Sequence, residues 1–205
     1  MSITIVGLGN PGKEYEKTRH NAGRSAVELL AKQEGLDGFV FNKKVNALVA
    51  KGAIGGENAT LVLPDTMMNA SGKAVSALVK SPKAAEDMLV IHDDLDLPLG
   101  TIKMVFGRGS GGHKGVESVM RAIKTKDFAR LRIGIAQKNP ASAKATAGAQ
   151  AKKLKDEEKV IKHVIGKWKP SEEAAAKKVF KKAAKAARLF VSDGLASATQ
   201  FANTR

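Results

Sequence analysis

The chain has 205 residues, of which 43% are hydrophobic and 27% charged, so it can bury a core, and disorder along its whole length is excluded. It contains no cysteine, which excludes disulfides, thiolate catalysis and cysteine-ligated zinc. Lys and Arg outnumber Asp and Glu by 35 to 20, a formal net charge of +15, and this excess predicts a polyanionic partner, with nucleic acid as the first candidate.

Short apolar runs alternate with helical patterns over the first 136 residues. The runs predict strands at 3–8, 46–51, 60–63, 88–92, 101–106 and 131–135. Apolar residues at helical spacing predict helices around 26–30, with Gly35 as the stop, around 74–79 and around 116–123. This alternation is typical of an α/β protein, and we expect a layered sandwich with a twisted mixed, mostly parallel sheet flanked by helices.

The C-terminal third of the chain differs in composition. Residues 138–156 are rich in Ala and Lys, offer little apolar surface to bury and are predicted to form a flexible insertion. Pro170 is predicted to begin a helix capped by Ser171, and the apolar stripe of that helix is predicted to end at Gly194. Because the chain shows no heptad repeat and no large apolar face, we expect one domain over residues 1–205 and a monomer.

Two segments near the N-terminus are candidates for chemistry. The glycines of Gly7-Leu-Gly9-Asn10-Pro11-Gly12 follow the first strand, as in dinucleotide-binding proteins, but a tight turn would also use them. A nucleotide-dependent oxidoreductase therefore stays open at this point. His20 lies just before a predicted helix; histidine is the side chain best suited to general-base work near neutral pH, although a single histidine is often structural.

Acidic residues follow the most apolar strand, in the run His92-Asp93-Asp94-Leu95-Asp96. The carboxyl end of a buried strand is where α/β proteins place their sites. Three interpretations stay open: a metal site built from His92 and the acids, a solvated turn, or an acid that orients a histidine base from elsewhere.

Two loops before predicted helices add polar groups. Asn69 either caps the following helix, as Ser71 could, or donates a hydrogen bond to an oxyanion or a peptide carbonyl. The loop 107–115 has five glycines in nine residues, with Arg108 and Lys114 as cations. Such a loop is either a plain connection or a place where the backbone approaches a ligand closely.

In this order, the segments GLGNPG, TRHNAG, MMNASGKAV, HDDLDLPLG, GSGGHKG and RLRIGI resemble the bacterial-type peptidyl-tRNA hydrolase family. The resemblance covers about residues 3–136 and resumes over about 160–194. It implies an enzyme that hydrolyses the ester between peptide and tRNA, with no metal and no cofactor. Its partner would be peptidyl-tRNA, bound through the peptide and the acceptor arm.

The resemblance also implies roles for individual residues. His20 stands at the position of the family's catalytic histidine and Asp93 at that of its acidic partner, so His20 would take a proton from water while Asp93 orients the imidazole. Substrate-binding, oxyanion and peptide contacts are implied for Asn10, Asn69, Tyr15, Asn21, His113 and Lys114. Contacts to tRNA phosphates are implied for Lys103, Arg108 and Arg132.

The chain departs from the family pattern at three positions. Lys114 replaces a usual asparagine, Val105 a common lysine and Ser110 a frequent histidine, which indicates a divergent branch, with a eukaryotic source as one option. The alternative function is a non-catalytic RNA-binding relative of the splicing type, against which the retained His20 and Asp93 argue. The sequence shows no membrane span and no secretory signal pattern, so we expect the cytoplasm, with the mitochondrion as the alternative.

Overall fold

A seven-stranded mixed sheet forms the centre of this computed structural model, which describes residues 2–137 and 157–204. The strands are β1 Ile3–Gly7, β2 Val40–Asn42, β3 Ala47–Ile54, β4 Glu57–Pro64, β5 Met88–Pro98, β6 Ile102–Phe106 and β7 Ala129–Ala136. Their order across the sheet is β2-β3-β4-β1-β5-β7-β6. The strands β4, β1, β5 and β7 run parallel, while β2, β3 and β6 pair antiparallel with their neighbours. The predicted insertion at 138–156 lies outside the described residues.

Helices cover both faces of the sheet. They are α1 Ala22–Gln33, α2 Gly72–Leu78, α3 Pro82–Glu86, α4 Lys114–Ile123, α5 Glu157–Val164 and α6 Pro170–Asn203, with 3₁₀ turns at Arg19–Asn21 and Met68–Ala70. None of the helices in the described part of the chain combines the length and the apolar character that crossing a membrane requires.

Two apolar layers hold these helices against the sheet. Successive side chains of a strand point to opposite faces, and Ile5 accordingly belongs to one layer and Val6 to the other. The Ile5 layer packs against α1 and α6, and the Val6 layer packs against α2 and α4. The helices therefore supply one apolar face each, as the spacing of their apolar residues predicts.

The structure confirms the predicted fold class, and the central strands are the parallel part of the sheet. Strand β5 continues past the predicted end at His92, because residues up to Asp94 still pair with β7. The short elements β2 and α3 were not predicted. The turns after Gly12 lead into a first helix only at Ala22, so the glycines do not open a helix as the dinucleotide pattern requires.

Helix α6 differs from its prediction at its first residue and agrees with it at Gly194. Lys169, not Ser171, is the N-cap, because Pro170 takes the first helical position, where its missing N–H costs nothing. Gly194 breaks the helix, as predicted: its backbone angles are non-helical, and a second helical segment continues beyond this kink to Asn203. The predicted apolar stripe is confirmed as well, with Val179 and Val191 buried.

A close approach between α1 and β5 places two candidate site residues side by side. A Cβ atom on Gly23, in the first turn of α1, would lie 2.1 Å from the carbonyl oxygen of Ile91. Only glycine allows this contact between helix and strand. His20 precedes α1, and Asp93 lies two residues after Ile91 within β5, so the contact brings both residues to the carboxyl end of β1.

Candidate active site

The side chains of His20 and Asp93 are hydrogen-bonded to each other. His20 Nδ1 lies 2.9 Å from Asp93 Oδ1 and 3.1 Å from Oδ2. The Asp93 side chain is 2% exposed and the His20 side chain 15%. A carboxylate only accepts hydrogen bonds, so neutral His20 carries its proton on Nδ1. Its Nε2 therefore keeps a lone pair and can act as a base.

A second histidine contacts the same carboxylate. His113 Nε2 lies 2.8 Å from Asp93 Oδ1. His113 is the N-cap of α4, and its Nδ1 accepts hydrogen bonds from the backbone N–H groups of Gly115 and Val116, each at 3.2 Å. Because Nδ1 accepts, the proton of His113 is on Nε2 and is donated to Asp93. The structure thus places the His113 ring against Asp93, and the substrate contact implied for His113 stays a prediction.

These contacts shift the proton affinities of the site. Burial by itself lowers the pKa of His20, but the charge of Asp93 and its hydrogen bond outweigh burial and raise that pKa above its usual value. Burial by itself raises the pKa of Asp93, but His20 and His113 hold it far below its usual range. Asp93 is therefore a carboxylate throughout the physiological pH range, and His20 titrates beside it.

His92 is engaged in a different way from the other two histidines. It is fully buried, its Nδ1 donates to the backbone carbonyl of Asp93 at 2.7 Å, and its Nε2 lies 3.5 Å from Nη1 of Arg130. Burial, followed by the charges of His113 and Arg130, lowers the pKa of His92 well below its usual value. Both ring nitrogens are thus occupied, which does not fit the metal site that the sequence left open at His92.

Possible metal ligands also occur together at His20, Asp93 and His113, whose ligand atoms lie within 4.8 Å of one another. A metal takes the lone pair of an imidazole nitrogen. His113 Nδ1 accepts from two backbone N–H groups, so its Nε2 bears the proton and has no lone pair to offer. The hydrogen bonds of this cluster fit a carboxylate that accepts from two histidines better than they fit a metal centre.

Asn10 is fixed by three hydrogen bonds. Its backbone N–H donates to Asn21 Oδ1 at 2.8 Å, and Asn21 Nδ2 donates back to the Asn10 carbonyl at 2.9 Å. Asn10 Oδ1 accepts from the N–H of Met68 at 2.7 Å. Asn21 is buried and uses both ends of its amide for Asn10, so it acts on the site through Asn10. Within the described residues, Asn10 Nδ2 keeps its donor capacity.

Asn69 lies next to this arrangement. It follows Met68 in a 3₁₀ turn, is exposed, and forms no side-chain hydrogen bond with any residue that the structure describes. Ser71, and not Asn69, holds the N-cap position of α2, but its hydroxyl donates to the Met68 carbonyl at 2.9 Å and forms no cap hydrogen bond. Tyr15 is half-buried in the turn that precedes Thr18. The structure therefore places Asn69 directly after the residue that Asn10 binds, with the Asn10 side chain held by a hydrogen bond and the Asn69 side chain exposed.

The predicted cations lie on and beside the glycine loop. Arg108 and Lys114 are exposed near the two ends of this loop. Lys103, on β6, lies opposite Arg132, on the neighbouring strand β7. Arg132 is not free, because its Nε contacts Asp94 Oδ2 at 2.5 Å. Two of them lie next to site residues in the chain or in space: Lys114 directly follows His113, and Arg132 contacts Asp94, the residue after Asp93.

Arg130 is a functional candidate that the sequence reasoning missed. It is buried, and its Nη2 donates to the carbonyls of Arg108 and Gly109 at 3.0 and 2.7 Å. It thereby fixes the start of the glycine loop against β7. The available signal was an arginine inside an otherwise apolar, alternating strand, since buried charges need built-in partners.

A family model described as peptidyl-tRNA hydrolase matches residues 4–205. The peptidyl-tRNA hydrolase of Prochlorococcus marinus is 38% identical over 201 residues, covering 98% of this chain and 93% of that protein. The one from Aquifex aeolicus is 43% identical over 180 residues, covering 87% and 84%. A crystal structure of peptidyl-tRNA hydrolase from Acinetobacter baumannii superposes with a TM-score of 0.84 at 34% identity, covering 99% of this chain and 95% of that one.

Proposed function

The chain belongs to the peptidyl-tRNA hydrolase family and is a hydrolase of peptidyl-tRNA, and we propose that it works through a water molecule activated by His20. The observation that carries this proposal is the hydrogen bond between His20 Nδ1 and Asp93, which leaves Nε2 as the basic nitrogen of a slightly exposed ring. An activated water suffices for an ester, because the departing ribose hydroxyl is a good leaving group.

The proposed reaction moves one proton in each direction. Nε2 of His20 takes a proton from water as its oxygen bonds to the ester carbonyl carbon, which gives a tetrahedral oxyanion. The C–O bond to the ribose then breaks, and the imidazolium returns the proton to the ribose oxygen. The products are a peptide with a free carboxyl group and a tRNA with a free terminal hydroxyl, and His20 is restored.

Asp93 stabilises the imidazolium that forms in the first step. Its carboxylate lies 2.9 Å from His20 Nδ1, so the positive charge on the ring has a nearby negative partner. His113 holds Asp93 Oδ1 from the other side at 2.8 Å. We infer that His113 supports the reaction by fixing this carboxylate.

The two asparagines are proposed to bind the last residue of the peptide. Asn10 Nδ2 has spare donor capacity, and Asn69 can both donate and accept. Amides read a peptide backbone without adding charge, and a donor near the ester polarises its carbonyl. A free aminoacyl-tRNA presents an amine in place of a peptide group, so some of the amide donors and acceptors of Asn10 and Asn69 would lack a partner. This difference supports selectivity for peptidyl-tRNA.

The tRNA is proposed to lie against the exposed cations. Lys103, Arg108 and Lys114 are exposed and can contact phosphates, whereas Arg132 shares its charge with Asp94. Phosphate contacts position a nucleic acid without reading its sequence. That property suits an enzyme whose substrates share an ester linkage and a backbone.

The experiment compares two substrates, N-acetyl-aminoacyl-tRNA and free aminoacyl-tRNA. We expect cleavage of the first, little of the second, and no effect of EDTA. Binding of tRNA without cleavage of either substrate would favour the non-catalytic, splicing-type alternative. Loss of activity in EDTA would contradict the metal-free mechanism.

A further inference from the structure

Arg19, the residue before His20, lies in a buried cluster that the proposed chemistry does not use. It is 4% exposed. Its Nη2 lies 2.5 Å from Glu172 Oε2, and its guanidinium lies 5.4 Å from the centre of the Trp168 ring. A charge this buried is stable only when it is paired and hydrogen-bonded, and removing one partner is costly.

Glu172 ties three parts of the chain together. Its Oε2 accepts from Arg19 and also, at 2.9 Å, from the backbone N–H of Lys169 at the start of α6. Its Oε1 accepts from Gln137 Nε2 at 3.2 Å, just after β7 ends. One carboxylate therefore fixes the end of a central strand, the first turn of α6 and the turn before α1 relative to one another.

The backbone reinforces this connection. The N–H of Arg19 donates to the Gly166 carbonyl at 3.1 Å, and the N–H of Trp168 donates to the Lys17 carbonyl at 3.3 Å. Thr18 and Lys167 form an isolated antiparallel bridge between these two bonds. A Cβ atom on Gly166 would lie 2.9 Å from Arg19 Nη1, so the two segments pack without spare room.

We propose that Glu172 and Trp168 are positioning residues for the hydrolysis, because through Arg19 they hold the 3₁₀ turn that presents His20 to Asp93. His20 is fixed on one side by its hydrogen bonds to Asp93. Its own turn is fixed from the opposite end of the chain by Glu172. Neither Glu172 nor Trp168 touches the reacting atoms. The inference rests on the proposed function, because it explains how His20 is held in position to act as the base.

The test replaces Glu172 and uses its neighbour as a matched control. Glu172→Gln removes the charge that pairs with Arg19, and Glu173→Gln removes the same charge from an exposed position in the same helical turn. Misplacement of a catalytic group by about 1 Å costs on the order of 10²-fold in rate. We expect kcat of Glu172→Gln to fall about 10- to 100-fold with little change in KM, kcat of Glu173→Gln to stay at the wild-type level, and Glu172→Asp to recover part of the loss.

A second readout follows His20 directly. The titratable side chains against its ring are Asp93, from β5, and His113, from the start of α4. In Glu172→Gln the contact between His20 and Asp93 is expected to lengthen, so the pKa of His20, measured by NMR titration of the ring, should fall. The acid limb of kcat/KM should move to lower pH with it. A purely structural role for Glu172 would lower thermal stability and leave this titration in place.

Trp168→Leu provides an independent variant should Glu172→Gln not fold. It removes the aromatic face above Arg19 and leaves the ion pair intact, so no buried charge loses its partner. The same direction of change in kcat and in the His20 titration is expected. Wild-type values in the folded variants, or equal losses in Glu172→Gln and Glu173→Gln, would overturn the inference. Failure of the wild-type protein to cleave N-acetyl-aminoacyl-tRNA would instead overturn the proposed function.

Discussion

The hydrogen-bonded centre, made of His20, Asp93, His113 and Asn10, contrasts with the cationic rim formed by Lys103, Arg108 and Lys114. In the centre, each carboxylate or ring atom that faces inward has a partner at 2.7–3.2 Å. The rim side chains are exposed. Lys103 lies on the edge strand β6, Arg108 lies in the glycine loop, and Lys114 is the first residue of α4.

This difference follows from two different tasks. A base must be held within a fraction of an ångström of its working position, because reaction rates fall steeply with misalignment. Contacts to phosphates are long-range and tolerant, so flexible cations suffice for them. Substitutions in the centre should therefore change kcat, and substitutions in the rim should change binding and its salt dependence.

The largest effect is expected for His20→Ala. Loss of a general base costs about 10²- to 10⁴-fold in rate, and the rim is untouched, so tRNA affinity should stay near the wild-type value. Single-turnover cleavage of N-acetyl-aminoacyl-tRNA and a filter-binding measurement check the two parts. Activity within a few-fold of wild type would show that another group activates the water.

A smaller effect is expected for Asp93→Asn, together with a shift in pH dependence. In the wild type, burial lowers the pKa of His20 but Asp93 raises it to a net value above the ordinary one, so kcat/KM should rise with pH through a midpoint above about 6.5. In the variant the raising charge is gone and burial remains, so this midpoint should move to lower pH. The plateau should fall about 10²-fold, because the imidazolium loses its partner.

The pH profile separates this effect from simple unfolding. A plateau that falls while the acid limb keeps its wild-type midpoint would show that Asp93 does not set the proton affinity of His20. Circular dichroism of the variant across the same pH range provides the control for folding. The comparison also sharpens the contrast between regions, since no rim substitution should move the midpoint.

The smallest effect on turnover is expected in the rim. Arg108→Ala and Lys114→Asn should each leave kcat unchanged, weaken tRNA binding, and reduce the slope of log K against log salt by about 1 per lost phosphate contact. Lys83→Ala is the matched control, because Lys83 lies in α3 before β5, at the opposite end of the sheet, and pairs with Glu86. A salt slope unchanged in the rim variants would place the tRNA elsewhere.

The sequence predicted most of the site and part of its geometry. His20 and Asp93 were identified by motif, and the buried strand before Asp93 indicated which end of the sheet carries chemistry. His113 was named as a site residue, but its hydrogen bond to Asp93 was not predicted, because that contact depends on the N-cap geometry of α4. Arg130 was also missed, because its partners are backbone carbonyls of a loop. Every residue has a backbone carbonyl, so the sequence does not show which of them accept a hydrogen bond.

The sequence by itself determined which chemical groups are present, where most strands and helices lie and which faces are apolar, because these depend on residue type and on local spacing. Tertiary structure decided which nitrogen of each histidine holds the proton and which carboxylate pairs with Arg19. Glu172 is separated from Arg19 by 153 positions along the chain. Such contacts depend on the order of strands in the sheet and on the packing of α6, which no local pattern encodes.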